Sequence, residues 1–383
     1  MKRTIAARCT ALLLCLLLLA CACPAQAITI DETLTGIGSI SAKVLEYCMM
    51  EHETELTFYL PKSVVQRLTD DQIKEAIWDA LDEYCMEGYT TSRRVMDDGR
   101  MRVWVRNISL RSGLLMVEAY YNGITTRLSY DEKRCLRQIE QVVDNFVRQY
   151  GLATVDTELA IYDYICDHVE YRNYPSSDSR RKQCTSAANA FLYGWGNCQA
   201  YSDLFFMMTT MAGFDAGYVS GNSDDGSGHL WNTIGIGDDL YMVDVTFGDN
   251  SNDYYPRHDH YYFNFGRDRS GDHVWSAEIL NPNHIAKKTN DKYTYYSHKN
   301  SRYGQAVKNL SEAAKYCVSE VKKGNKYVEV LVKTSVKDDN AVNKAIKKAL
   351  GKAQGEWKFS YKSVDGNFLL KFNWVKYKNK KVK

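Results

Sequence analysis

Gly194-Trp195-Gly196-Asn197-Cys198-Gln199-Ala200-Tyr201 sets two glycines and an asparagine in front of a cysteine. Leu204, Phe205, Met208 and Met211 follow at helical spacing until Gly213 interrupts them. This pattern predicts a turn that opens an amphipathic helix with Cys198 in its first turn. Upstream, residues 130–150 and 155–169 carry helical periodicity, and a shorter helix is expected over 185–193 after a polar stretch at 176–182. Downstream the period changes from 3.6 to 2. Strands are expected over 218–220, 230–236, 240–246 and 261–265. Helices followed by an antiparallel sheet define an α+β core.

Farther out, residues 55–60 alternate as a strand. Asp70 or Asp71 is placed to cap a helix with Ile73, Ala76, Ile77, Ala80 and Leu81 on one face, and Asp98-Gly99 turns a hairpin into Met101-Arg102-Val103-Trp104-Val105. The order is β-α-β-β. The C-terminal end repeats it: a strand over 327–332, a helix capped by Asp338-Asp339, then Asp365-Gly366 turning into 368–374. Ala76-Ile77-x-x-Ala80-Leu81 recurs as Ala345-Ile346-x-x-Ala349-Leu350. Two small βαββ modules are therefore expected to flank the core. Chance reuse of Ala, Ile and Leu in amphipathic helices is the plain alternative.

A chain of 383 residues with 45% hydrophobic and 25% charged residues and only 5 prolines can bury a core and is unlike a disordered chain. Its net charge, 49 basic against 47 acidic residues, does not suggest a nucleic-acid binder. The average conceals a split. From Arg302 onward 20 Lys and Arg face 7 Asp and Glu, whereas residues 28–301 carry 26 against 40. The Lys-rich end is suited to anionic wall polymers or a membrane surface, or serves solubility alone. Lys2, Arg3 and Arg8 precede an apolar run from Ala11 to Ala22, and Ala25-Gln26-Ala27 offers a cleavage pattern. Residues 1–27 read as a signal peptide, and Leu18-Leu19-Ala20-Cys21 offers lipid anchoring at Cys21 as an alternative. A secreted or surface-attached location is expected. Seven cysteines remain beyond the leader, an odd number that leaves at least one thiol unpaired or bridging chains.

Two further segments belong with Cys198: Gly228-His229-Leu230-Trp231-Asn232 and Tyr241-Met242-Val243-Asp244-Val245-Thr246. A thiol is a nucleophile as thiolate, which a helix N-terminus and a nearby imidazole both favour; each unit of pKa is about 1.36 kcal/mol. If Gly237-Asp238 forms a two-residue hairpin loop, Trp231 falls opposite Asp244 and Thr246 opposite His229. His229 and Asp244 then share a face as diagonal neighbours, and the carboxylate can orient the imidazole. Each residue alone has a structural explanation: a small buried thiol, a hydrogen-bonding histidine, a capping aspartate. The three together point to nucleophilic catalysis. The phosphate-loop-like spacing at 221–227 lacks its lysine, and His258-Asp259-His260 and Asp249, Asn250, Asn252 and Asp253 read as solvated loops.

The Gly-x-Cys helix start, His-x-Trp-Asn and the Val-Asp-Val-Thr strand resemble the transglutaminase-like superfamily of papain-type cysteine folds over about residues 130–285. The resemblance implies Cys198 as nucleophile, His229 as general base and acid, and Asp244 as orienting carboxylate. It implies a thioester formed on protein or peptide substrates, then cross-linking, deamidation or proteolysis, with no cofactor or metal. The Cys198 N–H is a candidate oxyanion donor, with Trp195, Gln199 and Trp231 as accessory substrate or oxyanion candidates. The expected organisation is a signal peptide at 1–27, an N-terminal module at 28–125, a catalytic domain at 126–300 and a basic module at 301–383. The alternative is a surface adhesion protein that binds through its Lys-rich end and carries an idle scaffold domain.

Overall fold

The computed structural model describes residues 29–30, 36, 38, 40, 55–83, 89–108, 111–249, 260–266, 273–275, 293–297, 304–334, 338–364, 366–378 and 380–382. The leader with Cys21, Cys48 and Cys85, the side chains of Ala80 and Leu81, and Asn250, Asn252, Asp253, His258 and Asp259 lie outside them. Among the described residues no helix is long and apolar enough to cross a membrane. The chain forms two compact units, residues 1–138 with 218–220 and residues 139–217 with 221–383.

The first unit holds a sheet of order β1-β2-β4-β3, with β1 at Thr29–Ile30, β2 at Glu55–Leu60, β3 at Thr90–Val95 and β4 at Met101–Arg106. β1 runs parallel to β2, and the other pairings are antiparallel. Period-two alternation sends Leu56, Phe58, Leu60, Met101, Val103 and Val105 inward against Ile73, Ala76 and Ile77. Burying a side chain such as Phe58 contributes about 1.5–3 kcal/mol. After the short helix α1 (Lys62–Val65), the inward residues of α2 (Asp70–Glu83) complete this core. Its cap differs from the expectation. Thr69, not Asp70 or Asp71, makes a capping box: Gln72 N–H donates to Thr69 Oγ1 at 3.2 Å and Thr69 N–H to Gln72 Oε1 at 2.9 Å. A helix at Ser112–Asn122 (α3), absent from the sequence-based elements, follows.

In the second unit, α4 (Tyr130–Tyr150, which begins in the first), α5 (Val155–His168), α6 (Arg181–Cys184) and α7 (Ala187–Tyr193) lead to α8 (Cys198–Met211). The pair β5 (Glu170–Tyr171) and β6 (Trp195–Gly196) brings the chain alongside the start of α8. α8 is buried almost all round. It packs on α5, α7 and β8. The core sheet has the order β10-β7-β8-β9, with β7 at Ala216–Ser223, β8 at Gly228–Ile236, β9 at Asp239–Val243 and β10 at His273–Trp275. Helices followed by an antiparallel sheet make the core α+β.

Two expectations about this sheet are corrected. β9 stops at Val243 because Asp244 turns its carboxylate back to cap a helical turn, α9 (Val245–Gly248), so Thr246 is not on a strand. Residues 261–265 form turns with a single bridge between Met242 and Phe265.

The C-terminal part of this unit contains β11 (Gln305–Val307), α10 (Leu310–Lys323), β12 (Tyr327–Val332), α11 (Asp339–Leu350), β13 (Gly355–Val364), β14 (Asn367–Tyr377) and β15 (Lys380–Lys381). A β-α pair thus precedes the expected βαββ. Four strands take the order β11-β12-β14-β13, β11 parallel to β12 and the rest antiparallel. One face, with Val328, Val330, Val332, Leu370, Phe372 and Trp374, packs on the helices. The opposite face carries Glu329 directly across from Lys371 and Leu331 across from Leu369; Leu331, Leu369 and Lys371 are buried, and the Glu329 side chain is 9% exposed. Glu329 receives the His260 N–H and Nδ1, both at 3.0 Å, and the Tyr296 hydroxyl, while His260 Nε2 lies 2.7 Å from Asp163 Oδ1.

Candidate active site

Cys198 stands at the first position of α8 for three local reasons. Gly194, at φ 74°, ends α7 in the left-handed conformation that costs glycine least. Gly196 passes so close to its neighbours that a Cβ there would sit 2.5 Å from the Ala200 Cβ and 3.2 Å from the Cys184 carbonyl oxygen. Asn197 then caps the helix, its Oδ1 accepting from Gln199 N–H at 3.1 Å and Ala200 N–H at 3.4 Å. The Cys198 N–H remains a first-turn donor that the helix cannot satisfy internally. The five described cysteines form no disulfide with one another, and Cys198 alone among them is not buried.

Hydrogen bonds fix α8 against the strand that carries the imidazole. Ser202 Oγ donates to the Leu230 carbonyl at 2.8 Å, and Asn232 Nδ2 donates to the carbonyls of Ser202 at 3.2 Å and Gly217 at 3.0 Å. The asparagine of His-x-Trp-Asn is therefore a clamp between helix and sheet. The β8–β9 register runs from Asn232 opposite Val243 to Ile236 opposite Asp239, as a two-residue Gly237-Asp238 loop requires, and ends one residue short of Trp231 and Asp244.

His229 Nε2 lies 2.6 Å from Asp244 Oδ2. With Nε2 engaged there, Nδ1 is the nitrogen left for Cys198, whose thiol also favours the protonated ring. Burial pulls the His229 pKa down, but the Asp244 carboxylate and then Cys198 outweigh it, and the ring is pushed up to about 10. Burial would raise the Asp244 carboxyl, yet His229, followed by His273, holds it well below the usual carboxylate range. Asp244 is fully buried and satisfied: Oδ1 caps Phe247 N–H at 2.9 Å, and its own N–H donates to the Tyr262 carbonyl at 3.0 Å.

The accessory candidates fall in different places. Trp195 is half-buried on β6, its ring edge-on to Tyr174. Gln199 follows Cys198 in the first turn, and its Nε2 is buried without a hydrogen-bond partner among the described residues. Trp231 is wholly buried and stacks on His229 at 5.6 Å between centroids, behind the imidazole and not on an accessible surface. Tyr261, Tyr262 and Phe263 are buried too.

One residue here escapes the sequence pattern. His273, on the three-residue strand β10, places Nε2 2.8 Å from Asp244 Oδ2, the oxygen that already receives His229. No helical or strand period links residues 244 and 273; only the presence of a histidine was legible. His229, Asp244 and His273 have their candidate ligand atoms within 4.8 Å of one another, a spacing that would also suit a metal ion. Separations of 2.6 and 2.8 Å are those of N–H···O bonds, and we assign hydrogen bonds, not metal ligands.

The chain resembles a crystal structure of a TGase at 12% identity, covering 52% of this chain and 52% of that one, with a TM-score of 0.29. It also resembles Legionella pneumophila LapG, EGTA-treated, at 11% identity over 36% of this chain and 71% of that one, with a TM-score of 0.23. This chain thus spans about half the length of the TGase. No curated protein matches. Residues 140–245, the stretch that contains Cys198, His229 and Asp244, match the transglutaminase-like superfamily, and the chain carries a domain of that superfamily.

Proposed function

We propose that this protein is a cysteine-dependent acyl transferase or amide hydrolase acting on protein or peptide substrates through a thioester. The observation that supports it is the His229–Asp244 bond at 2.6 Å, carried by a strand that packs on the helix opened by Cys198. In this proposal Cys198 yields its proton to His229 and its sulfur attacks a carbonyl or carboxamide carbon. The Cys198 N–H receives the developing oxyanion, with Gln199 Nε2 as the side-chain candidate beside it. The C–N bond breaks as His229 returns the proton to the departing amine or ammonia, leaving a thioester. Water or an amine, deprotonated by His229, then attacks the thioester and the thiol is regenerated. Asp244 holds the ring and balances its charge throughout.

We further propose that the enzyme works outside the cytoplasm and that its Lys-rich end holds it to anionic wall polymers or a membrane surface. Adhesion through that end would persist in Cys198→Ala and weaken with salt. Cys198→Ala is expected to abolish turnover while circular dichroism and the unfolding midpoint stay near those of the wild type. Turnover at the wild-type rate in that variant overturns the proposal. Offering a Gln-containing protein with a labelled primary amine separates the outcomes: incorporated label means cross-linking, peptide fragments mean proteolysis, and ammonia alone means deamidation.

A further inference from the structure

We propose that His273 is a positioning residue for the reaction at Cys198: by donating Nε2–H to Asp244 Oδ2 it shares that oxygen with His229, fixing the carboxylate and limiting its hold on the catalytic imidazole. This rests on the proposed roles of Cys198, His229 and Asp244. The buried carboxylate is held at three points, His229 at 2.6 Å and His273 at 2.8 Å on Oδ2, and Phe247 N–H at 2.9 Å on Oδ1. A carboxylate so held cannot rotate away from His229 without breaking two other bonds.

The surroundings of His273 show which proton it uses. Its side chain is wholly buried. Its ring centroid lies 4.7 Å from Trp231, 5.0 Å from Phe247, 5.1 Å from Phe265 and 5.7 Å from Tyr262. Nδ1 has no hydrogen-bond partner among the described residues, so a proton there would be a buried donor with nothing to give to. The proton on Nε2 has Asp244. The ring therefore presents one donor, and its one described polar contact is the carboxylate that orients the general base.

Two donors on one oxygen divide its charge. The hydrogen bond from His273 tempers the attraction between Asp244 and the His229 imidazolium, so His229 can surrender its proton to a leaving group instead of retaining it. A purely structural His273 would fill space among the aromatic rings and leave the protonation of His229 untouched.

His273→Phe separates these roles, because it keeps an aromatic ring in the cage and deletes the donor; His273→Gln restores an N–H; His273→Met serves if the Phe variant does not fold. The probe is iodoacetamide, which reads Cys198 without knowledge of the substrate, with Cys198→Ala as background and His229→Gln as reference. In the wild type the alkylation rate is expected to change at high pH as His229 loses its proton. In His273→Phe that transition is expected to move up by roughly one unit, a tenfold tighter hold on the proton, and to return in His273→Gln. In the proton NMR spectrum the downfield His229 Nε2–H resonance is expected to move further downfield in His273→Phe as its bond to Asp244 shortens. An unmoved or lowered transition with an unmoved resonance, or a Gln variant no closer to wild type than Phe, overturns the proposal. If the wild-type profile is already indistinguishable from that of His229→Gln, the triad reading itself fails, and the two failures are told apart.

Discussion

The sheet of residues 29–106 and the sheet of residues 305–377 share one strand order, with a short parallel strand beside the first long strand and a hairpin on its other side. Their inner faces are alike, Leu56, Phe58 and Leu60 in one and Val328, Val330 and Val332 in the other. Their outer faces are not. On the first, Thr57, Tyr59, Arg102 and Trp104 are half-exposed, with the Arg102 guanidinium over Trp104 at 4.3 Å and near Tyr59 at 5.9 Å. On the second, the positions matching Thr57 and Tyr59 are Glu329, whose side chain is 9% exposed and bonded to His260, and Leu331, which is buried. One topology thus yields a solvated face or a docked one according to two side chains in a six-residue strand.

Removing the charge that distinguishes the second face should have the largest effect. Glu329→Ala leaves His260 and Lys371 without their shared carboxylate, and losing one partner of a buried charge pair costs about 3–5 kcal/mol. The match in the first sheet, Thr57→Ala, should stay within about 0.5 kcal/mol of wild type. Urea unfolding of both variants checks the contrast, and equal losses would break it. The Glu329 variant should also lose activity, because the segment that contains His260 supplies the Tyr262 carbonyl to the Asp244 N–H.

pH sharpens the same contrast. Burial pulls His260 down, but Glu329 and then Asp163 outweigh it and push it up to about 9; Glu329, which burial would raise, is brought down to about 2 chiefly by His260. A raised histidine stabilises fully below its unfolded value near 6.5 and loses that contribution as pH rises through about 9. A lowered carboxylate stabilises above its unfolded value near 4.5 and loses that contribution as pH falls through about 2. The docked face should therefore be firmest between those unfolded values, and on the order of 3 kcal/mol should be lost between pH 6.5 and pH 10. Unfolding midpoints of wild type and His260→Gln across that range test this. The variant should show a shallower alkaline decline, since only the His229 contribution remains of the two.

Much of this was legible because its determinants are local. Asn197 and the glycines around it place Cys198 at a helix start, and Gly237-Asp238 sets the register that puts Asn232 opposite Val243. The end of β9 was not legible, because a carboxylate's choice between strand and cap depends on the His229 and His273 rings that meet it. β10 is three residues long, too short for periodicity, and its histidine acquires meaning only through an aspartate 29 residues earlier. α10 is a different case. Asn309 with Glu312 at its start, Ala313, Ala314, Cys317, Val318 and Val321 on its buried face, and Gly324 at its end are complete local marks. The β-α-β-β reading passed over them because it began the module at the most evident strand.

The smallest effect tests how far the two sheets are equivalent. Each has a long helix, α2 or α11, between its first long strand and its hairpin, and these two helices are capped by different residues. Thr69 Oγ1 accepts from Gln72 N–H at 3.2 Å in the first, and Asp338 Oδ1 accepts from Ala341 N–H at 2.8 Å in the second. Substituting either cap by alanine should cost about 1 kcal/mol. The Asp338 bond is shorter and charge-assisted, and its carboxylate also favours the helix N-terminus, so Asp338→Ala should cost slightly more at low ionic strength. Salt screens that part, and the two losses should converge as salt is added. Equilibrium unfolding of Thr69→Ala and Asp338→Ala at low and high salt measures both. If the Asp338 loss stays constant while salt rises, its excess comes from hydrogen-bond geometry and not from charge, and the two caps differ in fit alone.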